Sequence, residues 1–358
     1  MRGNACLWSW KSRAAIACRP LAAKPGRSKM PPKVTRRRAI TITAAAAGFS
    51  AFNWRHAAAT PTPVRWRGQV LGAEAGITLY HPDRAAAIAL IEDCVGEVRR
   101  LERQFSLYRP DSTLCRLNRT GRLYHPPAEF RRLLMETLDF AARTAGAFDP
   151  SVQPLWTLYA GYFAAPAPDP AGPPAAAVEA ARAKVDWRRI RVDDAGVVLA
   201  AAGMALTLNG IAQGFITDWV ADRLRVQGIT HVLLDLGEMR ALGAHPGGTP
   251  WRIGIADPRN RAEVLESVAL MDTAVATSGG YGTVFEPSGR FHHLFVPATG
   301  NCAHSWASVS VTAATATIAD ALSTAIAVAP RDHAGALLRA GGGIAALLID
   351  QDGDTHRV

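Results

Sequence analysis

A glycine-marked stretch at residues 208–218 constrains the fold of this 358-residue chain more than any other feature. An apolar, strand-like run ends there, Gly210 and Gly214 follow, and a helical pattern begins at once. Small residues at the start of a helix leave backbone N–H groups free to hold an anion, typically a phosphate. Similar turns recur at Gly237 and Gly279, so the sequence predicts one site, suited to a nucleotide, that the backbone approaches closely. The same glycines could also serve only as strand-to-helix turns.

The basic charge of the chain lies in its first 59 residues. They hold twelve Lys and Arg residues and no Asp or Glu, whereas residues 60–358 hold 28 basic and 30 acidic residues. Residues 60–358, the body of the chain, are therefore nearly neutral, which gives little reason to expect binding to nucleic acid. The hydrophobic content of 49% and the charged content of 20% are typical of a globular protein and not of a disordered one.

Residues 1–59 have the pattern of an export signal. Arginines at 36–38 precede an apolar run over 39–52, and alanines at 57–59 offer a cleavage site. The run is too short and too rich in alanine to be a convincing membrane span. We therefore expect twin-arginine export to the periplasm, with Met30 as a candidate true start. The alternative is a basic arm that holds an apolar stretch by chance.

The rest of the chain alternates helical and strand patterns without an internal repeat. Residues 60–70 are predicted as a linker and 71–358 as one large domain. Apolar spacing predicts helices over 84–105, 130–145, 175–184, 215–226 and 318–328, and strands over 204–208, 231–236, 251–256, 267–271, 291–296, 308–312 and 344–349. Helices at such varied spacing indicate an α+β fold of mixed sheets with flanking helices, and not a regular doubly wound sheet.

Three cysteines follow the leader: Cys94, Cys115 and Cys302. An odd number without a CxxC pair argues against a disulfide framework and against a zinc site. One disulfide would be compatible with an oxidising compartment, but three small buried residues is the simpler interpretation.

A few polar residues in the body could carry chemistry. Asp320 and Thr324 stand one helical turn apart, and their oxygens suit Mg²⁺, which completes its shell with water and phosphate. The same spacing also fits helix capping and a core threonine. His292 and His293 lie in a predicted strand, so only one of them can face a site and act as a base. Asp149, before a proline, could form a turn or contact a ligand.

Taken together, these motifs resemble the FAD:protein FMN transferase family, also called ApbE, over roughly residues 65–335. No single motif is decisive, but the ordered set is specific. The matching stretches are 105–108 with 111–112 and 117–118, 144–150, 210–214 with Asp218, 236–237, 276–279, His293 with Pro297 and 299–300, and 319–325.

The resemblance implies an α+β fold and a Mg²⁺-dependent reaction. In that reaction FMN passes from FAD to a threonine or serine hydroxyl of a partner protein, and AMP is released. The implied metal ligands are Asp320, Thr324 and the backbone carbonyl of Ala212, and the implied base is His293. The implied FAD contacts are Asn118, Phe148, Asp149, Gly210, Gln213, Asp218, Gly237, Glu238, Ser278 and Gly279.

The leader adds an expectation about where such a reaction would take place. Twin-arginine export fits family members that flavinylate membrane-associated respiratory subunits outside the cytoplasm. It fits in particular the subgroup called NosX, which serves nitrous-oxide respiration. The sequence names no acceptor protein.

The chain departs from the family pattern at four positions. Gln213 stands where the family usually has Lys, Glu238 where it has a second glycine, Val296 where it has Asp and Ala298 where it has Arg. Two alternatives to a transferase therefore stay open. One is a non-catalytic flavin-binding accessory protein of a respiratory system, and the other is an FAD pyrophosphatase in which water replaces the acceptor hydroxyl.

Overall fold

A computed structural model describes residues 62–358 of the chain, so the predicted leader lies outside the described residues. The helices are α1 Arg84–Phe105, α2 Thr113–Thr120, α3 Ala128–Arg143, α4 Gln153–Phe163, α5 Ala175–Arg182, α6 Ala212–Val226, α7 Ala316–Val328 and α8 Ala334–Gly341. The strands are β1 Val64–Val70, β2 Ala73–Leu79, β3 Arg122–Tyr124, β4 Ile190–Val192, β5 Gly196–Leu199, β6 Val232–Asp235, β7 Met239–Leu242, β8 Trp251–Ala256, β9 Val264–Leu270, β10 Ala274–Ser278, β11 Ser308–Ala313, β12 Gly343–Ile349 and β13 Thr355–Arg357.

The centre of the fold is an eight-stranded sheet in the order β1-β2-β6-β7-β10-β11-β12-β13. All of its pairings are antiparallel. The described residues also form a small sheet, β3-β5-β4, and a separate ribbon, β8-β9. The predicted α+β class is confirmed.

The two faces of the large sheet are covered by different layers, because side chains along a strand alternate between faces. In β6, Leu234 packs into the main core with α6 and α7, whereas its neighbour Leu233 packs against the β8-β9 ribbon. Helices α6 and α7 therefore lie together on one face of the sheet, with α7 against β10 and β11. This layer positions the predicted site.

Three segments differ from their sequence predictions. Residues 64–70 do not form a linker but pair along their whole length with β2. Residues 204–208 do not form a strand; Leu206 binds the side chain of Asn118 instead. Residues 291–296 form only isolated bridges and loop hydrogen bonds. Only Leu206 has its deciding partner far away in sequence; β1 pairs with the next strand, and residues 291–296 bond to residues 283–285 and 301–303.

For the described residues, the structure also tests the predictions about disulfides and membrane-spanning helices. Cys94, Cys115 and Cys302 are all free, with Cys94 and Cys302 buried and Cys115 half-buried, so they form no disulfide. Within residues 62–358, no helix is long and apolar enough to cross a membrane.

Candidate functional site

The site is built where α6 crosses α7 at very short range. A Cβ atom on Gly214 would lie 2.7 Å from the carbonyl carbon of Ala316 and 2.8 Å from the Cα of Thr317. These are backbone atoms that cannot move aside, so only glycine allows this approach. The contact holds the start of α6 beside the first turns of α7.

Asp218 then holds the two helices together from the middle of α6. Its carboxylate accepts hydrogen bonds from the backbone N–H groups of Ala316 and Thr317, both at 2.8 Å, and from the Thr317 hydroxyl at 2.5 Å. It also pairs with the buried guanidinium of Arg240 in β7. A carboxylate at a helix N-terminus satisfies free donors and favours the helix dipole. Asp218 therefore positions α7, while its predicted FAD contact stays a prediction.

Asp320 lies one turn into α7 and faces the start of α6. Its Oδ2 accepts a hydrogen bond from the backbone N–H of Gly214 at 3.0 Å. Burial raises the pKa of Asp320 to about 7, the nearby charge of Asp218 adds to the rise, and the Gly214 hydrogen bond opposes it. Among the described residues, no Lys, Arg or His is within ion-pair distance of this carboxyl. A buried carboxylate with no cationic partner is costly, and a bound cation would offset that cost.

Thr324, one turn beyond Asp320, belongs to a short chain of hydroxyl groups. Its Oγ1 lies 3.2 Å from the Oγ of Ser278 at the end of β10, and Ser278 also lies 2.7 Å from the Oγ of Ser323. Gly210 faces Thr324 so closely that a Cβ atom there would lie 2.9 Å from the threonine oxygen. The structure thus brings together Gly210, Ser278 and Thr324. Sequence reasoning missed Ser323, although it stands beside Thr324 in the motif.

His293 opens onto a cavity of about 50 Å³ that Thr324 also lines. Three other predicted residues, Gly210, Phe148 and Asp149, contribute to the same walls. The histidine Nδ1 lies 3.2 Å from the backbone carbonyl of Thr283, which fixes the hydrogen on Nδ1 and leaves Nε2 able to accept a proton.

Burial lowers the pKa of His293 to about 4, and the Thr283 carbonyl opposes that shift. The ring is therefore neutral near pH 7, the protonation state that a base requires. His293 is half-buried, whereas its neighbour His292 is buried; the pKa of His292 is also lowered to about 4, by burial and by the charges of His293 and His304. The prediction of opposite directions rested on a strand that is not formed here; His293 lines the cavity, whereas the ring of His292 contacts the ring of His304 at a centroid distance of 5.4 Å.

Two predicted ligand contacts are engaged with the protein's own backbone. Asn118 donates to the carbonyl of Leu206 at 2.8 Å and accepts from its N–H at 2.7 Å. Asp149 accepts from the N–H and hydroxyl of Ser151 at 2.8 and 2.6 Å, and from Trp187 N–H at 3.2 Å. Asp149 is thus a turn former that also lines the cavity, and burial raises its pKa.

Two of the four positions that depart from the family pattern, Gln213 and Glu238, lie near the metal-ligand candidates. Gly237 has a φ of 102°, and a Cβ atom there would lie 2.6 Å from the side-chain carbon Cδ of Gln213. Glu238 is buried, and its pKa is raised well above the usual value by burial, then by the charges of Asp320 and Asp235. Burial likewise raises the pKa of Asp235 to about 6. This region holds several acidic groups where the family usually supplies a lysine.

The chemistry of the donor set fits Mg²⁺. Asp320 offers a buried carboxylate, Thr324 a hydroxyl, and Ala212, the first residue of α6, a backbone carbonyl. Hard oxygen donors of this kind suit Mg²⁺, which takes few protein ligands and keeps water and phosphate oxygens. No group of three or more His, Cys, Asp or Glu in residues 62–358 is arranged to hold a metal ion. Any cation here would therefore depend on one carboxylate, neutral oxygens and the substrate's own phosphates.

Comparison with known sequences places the chain among flavin transferases. Residues 71–348 match the sequence model of the ApbE family. The chain is 34% identical over 311 residues to an FAD:protein FMN transferase of Treponema pallidum, covering 79% of this chain and 83% of that protein. It is 31% identical over 255 residues to one from Haemophilus influenzae, covering 68% and 73%.

Solved structures of ApbE proteins are also similar to this chain. The chain is similar to the apo form of the flavinyl transferase ApbE of Pseudomonas stutzeri, with a TM-score of 0.71 and 29% identity, covering 84% of this chain and 95% of that one. It is also similar to the ApbE protein of Thermotoga maritima, with a TM-score of 0.74 and 27% identity, covering 82% and 96%.

Proposed function

We infer from the sequence of the chain, which belongs to the ApbE family, that it is an FAD:protein FMN transferase. It transfers FMN from FAD to a partner protein. We propose in addition that the acceptor group is a threonine or serine hydroxyl, that the reaction depends on Mg²⁺ and that AMP is the second product. The observation that carries this mechanism is the cavity shared by His293 and Thr324, which Gly210 also lines just before the start of α6.

The roles of the residues follow from their positions. His293 Nε2 takes the proton of the acceptor hydroxyl, while Nδ1 stays bound to the Thr283 carbonyl. The hydroxyl oxygen then forms a bond to the phosphorus of the FMN half of FAD. The bond from that phosphorus to the bridging oxygen breaks, and its electron pair leaves with AMP. The negative pyrophosphate beside the imidazole would raise the basicity of His293 above its value in the free protein.

Asp320, Thr324 and the carbonyl of Ala212 would hold the metal ion. When bound, Mg²⁺ neutralises the pyrophosphate and stabilises charge on the leaving phosphate. Asp320 supplies the only carboxylate of this set and must be ionised to do so. The backbone N–H of Gly214 keeps one of its oxygens in place, which leaves the other available.

Replacing Asp320 with alanine tests the metal assignment. We expect Asp320→Ala to abolish turnover, because the pyrophosphate loses the carboxylate that would hold its metal. AMP release from FAD measures the effect. Unchanged AMP release at matched Mg²⁺ concentrations would contradict the assignment.

Replacing His293 with alanine tests the base. We expect His293→Ala to retain FAD binding and to slow FMN transfer by about 10²–10⁴-fold, the range typical of a general base. Binding is measured by quenching of flavin fluorescence and transfer by mass spectrometry of the acceptor. Equal losses of binding and transfer would instead make His293 a wall of the pocket.

One observation favours a second function, that of a flavin-binding accessory protein. Gln213 and the buried Glu238 leave the region beside Asp320 without the cation that the family usually has there. Fewer positive charges would hold the pyrophosphate less strongly. An accessory protein would bind FAD and release no AMP, with or without an acceptor.

We also propose that the transferase works in the periplasm. The twin-arginine pattern at 36–38 and the apolar run that follows support export of the folded protein. On this proposal the acceptor is a membrane-associated respiratory subunit, and the protein serves a role like that of the NosX subgroup. Fractionation of cells that express the chain, with Arg36 and Arg37 replaced by lysine as the comparison, tests the route.

A further inference from the structure

A second cavity, of about 640 Å³, opens between the small sheet and the end of α2. Residues 118–122 form one wall and residues 198–204 form the other. We call this cavity the basic groove. Its walls are mainly backbone and small side chains, with Arg119 and Arg122 as the charged groups that line it.

Four exposed cations surround the basic groove. Arg119 and Arg122 line it, Arg191 pairs with groove residue Val198 in the small sheet, and the side chain of Lys184 lies beside groove residue Gly203. A Cβ atom on that glycine would lie 3.2 Å from two side-chain carbons of the lysine.

None of these four cations forms an ion pair with a residue of the described chain. Arg119 donates only to the carbonyl of Pro110, at 3.4 Å, and Arg122 to the hydroxyl of Tyr124, at 2.9 Å.

The four cations are concentrated beside one cavity, whereas residues 60–358 as a whole are nearly neutral. Residues 60–358 carry a net charge of −2, so a basic face is not a general property of the body. Other arginines of the same region have acidic partners: Arg131 pairs with Asp194, and Arg188 pairs with Asp186. An unpaired cluster beside a cavity raises the local concentration of anionic partners and speeds their encounter.

The basic groove is joined to the candidate active site by one short segment. Met204 lines the groove, and Thr207 lines the cavity of His293. Between them, Leu206 is fixed by both hydrogen bonds to Asn118. Three residues span at most about 10 Å, so a chain lying in the groove would end close to the base.

We propose that the basic groove binds an acidic segment of the acceptor protein, next to the hydroxyl that receives FMN. This inference rests on the proposed function, because it assumes a protein acceptor at His293. The phosphates of FAD have their own predicted place, at the start of α6 and beside Asp320. Of the implied FAD contacts, Asn118 lines the groove, but both polar atoms of its side chain are bound to Leu206, which leaves the cations of the groove for the second substrate.

Two fluorescein-labelled peptides test the proposal. Both are short and carry one threonine, flanked by aspartates in the first and by serines in the second. Fluorescence anisotropy gives their dissociation constants at low and at high ionic strength. We expect the acidic peptide to bind roughly tenfold more tightly at low salt, and the difference to shrink at high salt, as screening of exposed charges requires.

Charge reversal at the groove is the decisive comparison. Arg119→Glu combined with Arg122→Glu should remove the preference for the acidic peptide. The matched control is Arg65→Glu with Arg67→Glu, which reverses two exposed arginines of β1 outside the groove. The control should keep the preference. Thermal unfolding of both variants verifies that they are folded.

The outcomes separate this proposal from the proposed function. Equal binding of the two peptides to the unaltered protein, or equal effects of the two double variants, would overturn the groove assignment. So would a groove variant that weakens binding of FAD but not of the acidic peptide, because the groove would then belong to FAD. A failure to transfer FMN to any acceptor would overturn the proposed function, whatever the peptides show.

Discussion

Replacing Asp218 with alanine tests whether one carboxylate holds α6 and α7 in register. Its two oxygens accept three hydrogen bonds from Ala316 and Thr317 at the start of α7, and the group pairs with Arg240. The side chains of Arg240 and Asp218 are only 6% and 13% exposed. Removing one partner of such a buried pair leaves the other charge uncompensated, so we expect a loss of about 4 kcal/mol in the free energy of unfolding.

Two further variants separate the ion pair from the helix cap. Arg240→Met leaves Asp218 bound to the N-terminus of α7, which favours a negative charge, so we expect a smaller loss of about 2 kcal/mol. In the double variant Asp218→Ala/Arg240→Met no buried charge stays unpaired. Its loss should fall short of the sum of the two single losses by about 1.5–3 kcal/mol, a usual coupling energy for contacting residues.

Urea unfolding followed by far-ultraviolet circular dichroism measures all of these free energies. The matched control is Asp222→Ala, which removes the partner of Arg225 in an exposed pair of the same helix. We expect that loss to be under about 1 kcal/mol. Additive single losses, or an Asp218→Ala variant as stable as the control, would refute the view that Asp218 joins the helices.

Two further predictions concern the close contact between α6 and α7 and the buried His292. Gly214→Ala should lose about 1–3 kcal/mol, because its Cβ meets the backbone of Ala316; Gly161→Ala in α4, with open space around its Cβ, should lose nothing in the same urea experiment. His292→Gln should reduce the acid dependence of stability, and His293, whose pKa is lowered to the same value, should keep its own contribution. The pKa of His292 is about 4 in the folded protein and 6.5 unfolded, so the unfolded state binds more protons between these values. Stability should therefore fall as pH decreases from 6.5 to 4, and an unchanged slope in the variant would contradict this assignment.

Much of the fold followed from local patterns. The apolar stripe of α1 predicted Arg84–Phe105, and the alternation of β8 predicted Trp251–Ala256, both with the bounds that the structure has. The sequence analysis did not predict helix α4, whose aromatic residues pack against residues that are distant in sequence. Its Tyr159, for example, contacts the ring of Phe295 at a centroid distance of 5.2 Å. Strand β1 was predicted as a linker, although its exposed arginines alternate with buried or half-buried residues, which is itself the pattern of a strand.

The sequence predicted those parts of the candidate site in which the residues of a motif themselves form the cavity. His293, Thr324 and Gly210, which are far apart in sequence, do share one cavity. The sequence could not show that the polar side chains of Asn118 and Asp218 hold the protein's own backbone. Such a role depends on which backbone groups meet a side chain after folding, and no spacing rule encodes it.

The sequence also could not predict that Glu238 lies near Asp320. The two residues stand far apart in the chain, and a glutamate after glycine reads locally as an exposed turn. The fold instead buries Glu238 near Asp320 and Asp235, and burial together with those charges raises its pKa. Whether this acidic surrounding slows the reaction is the main question that the departures from the family pattern raise.

Mass spectrometry of an acceptor protein tests the central claim most directly. Residues 60–358 would be incubated with FAD, Mg²⁺ and a threonine-containing acceptor domain that a control transferase labels. We predict that the acceptor gains one FMN, that AMP appears in equal amount and that chelation of Mg²⁺ prevents both. AMP without the adduct would indicate a pyrophosphatase. Neither product, while the protein still binds FAD, would contradict the transferase assignment and support the accessory role.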